Sequence, residues 1–183
     1  MKTLTLLLCL LCPSLRAEES RHRVFGLSDP GSELDLREQL KSVPEVEFAA
    51  LDLETAEATF RYDVTKLLPD AKSPPTAEAI AKRLDELVKM ASKNPVSGHV
   101  TFSLKPLSSV PKDQLQKIEI QLGLLDCKGC RYTAYLACAK LDGVENVIVS
   151  ETSLVTVWVA PSKTDREALI AALKKARIEL PTP

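Results

Sequence analysis

Apolar residues along this chain switch between two spacings, and the switching pattern occurs twice. In the second half, Ile118, Ile120 and Leu122 alternate with polar neighbours, the period of a half-buried strand. From Cys130, the residues Ala134, Ala137, Cys138 and Leu141 recur at helical spacing. Asp142-Gly143 ends that helix, because glycine tolerates the left-handed backbone found after a helix. Val147 and Val149 predict a second strand, and Val155, Val157 and Val159 a third. Trp158 falls opposite the valines, on the outer face of that strand. Thr164-Asp165-Arg166-Glu167 reads as a capping box opening a helix that buries Leu169, Ala172, Leu173 and Ala176. Ile178 and Leu180 suggest a short last strand. The order is βαββαβ, the ferredoxin-like plan.

The first half repeats that order. Val24-Phe25-Gly26-Leu27 reads as a short strand, and Ser32 as the cap of a helix carrying Leu36, Leu40 and Val43. Val46, Phe48 and Ala50 alternate, then Ala58, Phe60 and Tyr62. Leu68 to Pro75 is a proline-rich loop. Ile80, Leu84, Leu87, Val88 and Ala91 mark a helix, with Lys82, Arg83, Asp85, Glu86 and Lys89 as its solvated face. Val100, Phe102 and Leu104 close the unit, and Pro106 to Pro111 reads as a linker. The expectation is an α+β protein of two tandem ferredoxin-like domains, residues 18–107 and 115–183, joined through residues 108–114. Units of roughly 70–90 residues sit near the lower limit for an independent core, so the two are expected to pack together.

Charge and composition remove several functions. The net charge of −1, with both signs interspersed, leaves no basic footprint for nucleic acid. An aromatic content of 4% gives little surface for stacking bases. His22 and His99 are the only histidines and fall in different elements, so no nucleophile–base pair is visible. His22 reads as a solvated residue near the mature N-terminus, with a weak metal ligand as the alternative, and His99 as a packed or solvated residue opening a strand. No glycine-rich phosphate loop occurs. An enzyme is not expected.

The first 17 residues have the form of a secretory signal. Lys2 supplies the positive start, Leu4 to Leu11 a short apolar run, and Leu15-Arg16-Ala17 a cleavage site. Leu8 and Leu11 precede Cys9 and Cys12 where a lipoprotein needs a small residue. An exported chain, periplasmic or secreted and without a membrane span, is expected. It would keep Cys127, Cys130 and Cys138. Cys138 lies on the buried helix face and reads as a small core residue.

Cys127 and Cys130 stand at the turn from strand to helix, in the run Asp126-Cys127-Lys128-Gly129-Cys130. Two thiols at that spacing suit a soft metal ion, a structural disulfide or thiol–disulfide exchange. Cu(I) and Hg(II) accept few ligands, whereas Zn(II) wants four and would need others from a partner. Lys128, Arg131 and the helix N-terminus would favour thiolate, and Asp126 would oppose it. Laying the halves over each other places Leu36 on Ala134, Leu40 on Cys138, Val43 on Leu141 and Val46 on Val144. That register sets Asp29-Pro30-Gly31-Ser32 opposite the cysteine loop. The first unit keeps the scaffold and lacks the thiols.

At this point the second unit, about residues 115–180, resembles the heavy-metal-associated domain of copper chaperones, mercury-binding periplasmic proteins and metal-pumping ATPases. The resemblance rests on Cys127 and Cys130, Leu141-Asp142-Gly143-Val144, Val147 and Val149, the strand Val155 to Val159, and Leu169, Ile170 and Leu173. Leu124-Leu125-Asp126 replaces the family's Gly-Met-Thr, with Leu125 in the place of the methionine that packs under the loop. Ala176-Arg177-Ile178 replaces its Ala-Gly-Tyr. The resemblance implies a metal site at Cys127 and Cys130, Cu(I) foremost with Hg(II) or Zn(II) as alternatives. It also implies a partner protein that donates or accepts the metal.

Overall fold

The computed structural model describes residues 18–181. The expected signal, with Cys9 and Cys12, lies outside the described residues. The chain forms two antiparallel sheets, each backed by helices, and each packs its own apolar core.

The first unit contains β1 (Glu18–Phe25), α1 (Ser32–Leu40), β2 (Val46–Asp52), β3 (Glu57–Tyr62), α2 (Val64–Leu67), α3 (Ala77–Ala91) and β4 (Ser103–Lys105). Its strand order, β2-β3-β1-β4, is the ferredoxin-like one. β1 is longer than Val24 to Leu27 suggests, because Glu18 to Arg23 pair with β3 before Arg23 to Phe25 pair with β4. His22 is therefore a strand residue opposite Ala58 and half-buried, not a solvated terminal one. Burial lowers its pKa from 6.5, and the Asp85 carboxylate opposes that. Ser32 does not cap α1. It is the helix's first residue, and its hydroxyl accepts from the Asp29 amide at 3.2 Å. α3 does have a hydroxyl cap: Thr76 accepts from Ala79 N, and Ile80, Leu84, Leu87 and Val88 form the buried stripe. β4 covers only three residues. Val100 makes an isolated bridge to Lys93 instead of joining it.

The second unit contains β5 (Gln116–Gln121), α4 (Lys128–Ala139), β6 (Val144–Val149), β7 (Leu154–Val159) and α5 (Arg166–Lys175), with strand order β5-β7-β6. Val155, Val157 and Val159 of the central strand are fully buried, and Trp158 lies half-buried on the other face. Gly143 has φ +80°, and a Cβ there would collide with the Lys163 side chain, so only glycine fits the turn after α4. Asp165, not Thr164, caps α5: its carboxylate accepts from Ala168 N, while the Thr164 hydroxyl donates to Asp142 O. Residue 177 does occupy a left-handed turn, as Arg177 with φ +60°. Its amide bonds to Lys174 O and the Ile178 amide to Leu173 O, closing the helix. The strand expected over Ile178 and Leu180 does not form. Those side chains still pack on the core, and Glu179 O accepts from Gly123 N at 2.8 Å.

The two units pack closely. The Tyr135 hydroxyl of α4 accepts from the buried Gly26 amide at 2.6 Å. Gly26 has φ +109°, and a Cβ would strike the Thr101 carbonyl, so the contact depends on glycine there. The Phe25 ring packs tilted against Tyr135, their centres 5.5 Å apart. The Val149 backbone amide donates to Ser28 O, the Asn146 side-chain Nδ2 to Leu53 O, and Arg23 pairs with Glu145. Among the described residues, no helix is long and apolar enough to cross a membrane.

Candidate metal centre

β5 runs into a turn that delivers Asp126 and Cys127 to the N-terminus of α4. Leu125 anchors this turn from below. Its side chain is buried in the core and its amide bonds to the Ser153 hydroxyl at 2.8 Å. The leucine thus occupies the position under the loop that the sequence assigns to it, while Leu124 points to solvent. α4 begins at Lys128, a residue pair earlier than the apolar spacing marks. Cys127 is its N-cap, and its sulfur accepts the Cys130 amide at 3.0 Å. On reduction, that position sets the Cys127 sulfur where the helix exposes unpaired N–H groups.

The structure brings the two predicted ligands together. Cys127 is exposed and Cys130 half-buried, their Cα atoms 5.2 Å apart, and they form a disulfide. Asp126 joins them: a carboxylate oxygen and both sulfurs lie within 4.8 Å of one another. This third donor was legible only as a charge beside Cys127. Its position in the turn, which aims it at the sulfurs, is a tertiary fact.

The two neighbouring cations have other partners. Lys128 Nζ reaches across to the first unit and bonds Asp35 at 3.0 Å, which raises the lysine pKa. Arg131 donates from one terminal nitrogen to Leu125 O. Beside Gly129, a cleft of about 220 Å³ opens between the units, with Ser28, Ser32 and Tyr132 on its walls. His99 is exposed and sets its ring edge-on to Tyr132 at 5.8 Å.

Cys138 is fully buried on α4, and burial pushes its thiol up to about 12. It is a core residue, as its position on the helix face predicts.

The architecture defines a class: two packed α+β units, one of which carries a cysteine pair at a helix start. Residues 21–90, in the first unit, match the family model of the heavy-metal-associated domain. The family match thus lies on the unit without the thiols, while the resemblance of the second unit rests on its own cysteines and valine strands. Among solved structures, the chain is similar to the N-terminal soluble domains of Bacillus subtilis CopA. Identity there is 19%, over 90% of this chain and 92% of that one, with a TM-score of 0.34. The water-soluble region of the P-type ATPase CopA from the same organism gives 19%, 90%, 89% and 0.34. The regulatory subunit of aspartate kinase from Thermus thermophilus gives 14%, 87%, 95% and 0.26. Likeness at this level carries no chemistry over to this chain. Comparison with curated proteins gives no match.

Proposed function

We propose that the reduced chain is an exported, non-enzymatic protein that binds one soft metal ion through Cys127 and Cys130 and passes it to or from a partner protein. The observation that carries this reading is the convergence of both sulfurs with the Asp126 carboxylate within 4.8 Å. Two thiolates satisfy Cu(I), the leading candidate, or Hg(II). The carboxylate adds a harder donor and brings Zn(II) nearer its preferred number of ligands. The family match of the first unit supports metal association in general, without specifying the ion.

The disulfide favours a second reading, in which Cys127 and Cys130 brace the loop or exchange with other thiols. Metal binding requires the two thiolates, so both readings concern the same bond in different redox states.

Titration of the reduced protein with Cu(I) under a competing chelator, beside a Cys127→Ser, Cys130→Ser variant, tests the first reading. Loss of binding in the variant is expected, and equal binding by both proteins would sink it. Asp126→Ala should weaken Zn(II) more than Cu(I), because only the divalent ion gains from the oxygen. A disulfide that resists mild reductant in protein taken from its native compartment would favour bracing.

A further inference from the structure

At the other end of α4 from the cysteines, the two units enclose a second cleft, of about 690 Å³. Its size is that of a site for a metabolite. Four cations line it: Arg23 and Lys105 from the first unit, Lys140 and Lys163 from the second. Its two carboxylates already have partners. Glu145 pairs with Arg23, and Asp142 with Lys163 at 3.2 Å. Lys105 and Lys140 make no ion pair among the described residues.

Lys105 is the informative one. It is half-buried on β4, with Nζ held 4.3 Å from the centre of the Phe25 ring. Burial and then the neighbouring Arg23 both push its pKa down, so the ammonium stands in a place that disfavours its charge. A residue confined there without a counter-ion gains from an anion entering the cleft. Leu107, Leu141 and Val144 supply an apolar lining beside the cations. The site combines unpaired positive charge with apolar wall, and its two sides come from different units.

We propose that this inter-unit cleft is a binding site for a small oxyanion, a phosphate- or carboxylate-bearing metabolite, held between Lys105 and Lys140. It is separate from the thiols, and its test does not depend on the metal reading. Binding would also tie β4 to the end of α4 and so stiffen the packing of the units.

The test is a calorimetric titration of the full mature chain with pyrophosphate and, separately, with citrate. Three variants stand beside the wild type: K140M, K105M/K140M, and K174M/K175M, the last with the same charge change on α5. The cleft pair should lose about tenfold or more in affinity, and the α5 pair under about twofold. K140M alone should lose part of it. Lys140 is exposed, so that variant tests the site even if K105M disturbs the Phe25 contact. A preference for pyrophosphate or for citrate identifies which oxyanion the cleft takes. Equal weakening by both lysine pairs, or no binding of either probe to the wild type at millimolar concentration, overturns the proposal.

Discussion

Helices α1 and α4 hold the same place in their units and differ in what stands at their first turn. Leu36 and Ala134 are both buried, as are Leu40 and Cys138, so the two helices share a phase. The starts diverge. α4 begins at Lys128 with the Cys127 sulfur as its cap. The matching position in the first unit is Asp29, and α1 begins only at Ser32 after Gly31, with no side-chain cap. Asp29 instead bonds the Gly31 amide at 2.9 Å, and the Ser32 hydroxyl is buried and turned back to the Asp29 amide. The comparison teaches that one helix phase can carry two different first turns, because the core face of a helix and its first turn answer to different residues. The family match falls on residues 21–90, the unit without the cysteine pair.

The sharpest break of the comparison is at the thiols. Cys127→Ser with Cys130→Ser should abolish Cu(I) binding by the reduced chain. The reverse graft, Asp29→Cys with Ser32→Cys, should not raise the stoichiometry above one, because α1 starts too late to aim both sulfurs at one point. A second bound ion in the chelator titration would show that residue identity alone separates the units.

Next in size is the shared core position. Leu40→Ala should cost about 2–5 kcal/mol of unfolding free energy, and Cys138→Ala about 1 kcal/mol, since a thiol leaves a much smaller cavity than an isobutyl group. Urea unfolding followed by circular dichroism measures both. Similar losses would mean the two cores do not relax alike. Tyr135→Phe comes third. It leaves the buried Gly26 amide without its acceptor and should cost about 1–3 kcal/mol, read as earlier separation of the units.

The smallest effect distinguishes the first unit by pH. Burial lowers the His22 pKa below 6.5, so the unfolded chain takes up a proton there before the folded chain does. Stability from this residue is full above pH 6.5 and falls as pH drops through 6.5 towards the folded value. His22→Gln should flatten that fall in melting temperature. An unchanged slope would assign the acid sensitivity to carboxylates.

What the residues announced, and what they did not, follows the range of the interactions. The valine strands, the helix phases, the place of Cys138 and the convergence of Cys127 with Cys130 are set by neighbours a few positions apart, and periodicity exposes them. Caps compete at single positions: Thr164 and Asp165 both qualify, and a tertiary bond from the threonine to Asp142 O decides between them. The last strand failed for a similar reason. Ile178 follows a turn at Arg177 that redirects the chain, leaving one bond to Gly123 where a ladder was expected. At the site, Lys128 looked like a neighbour of the thiols by sequence, yet Asp35, far away in the chain, holds it. Asp126 was visible as a residue, but its approach to both sulfurs depends on the turn that Leu125 and Ser153 fix.

The bond between Tyr135 and Gly26 has a consequence for the cysteine turn. α4 is bolted to the first unit at its middle through Tyr135, and at its first turn through Lys128 and Asp35. The first unit therefore grips the helix that carries the cysteine turn. Cys127 itself stays exposed, so the two inter-unit bonds fix the direction in which the cysteine turn faces without covering it. The first unit thus acts on the cysteine turn as a mount: it holds the helix from which the turn projects, at two points along its length.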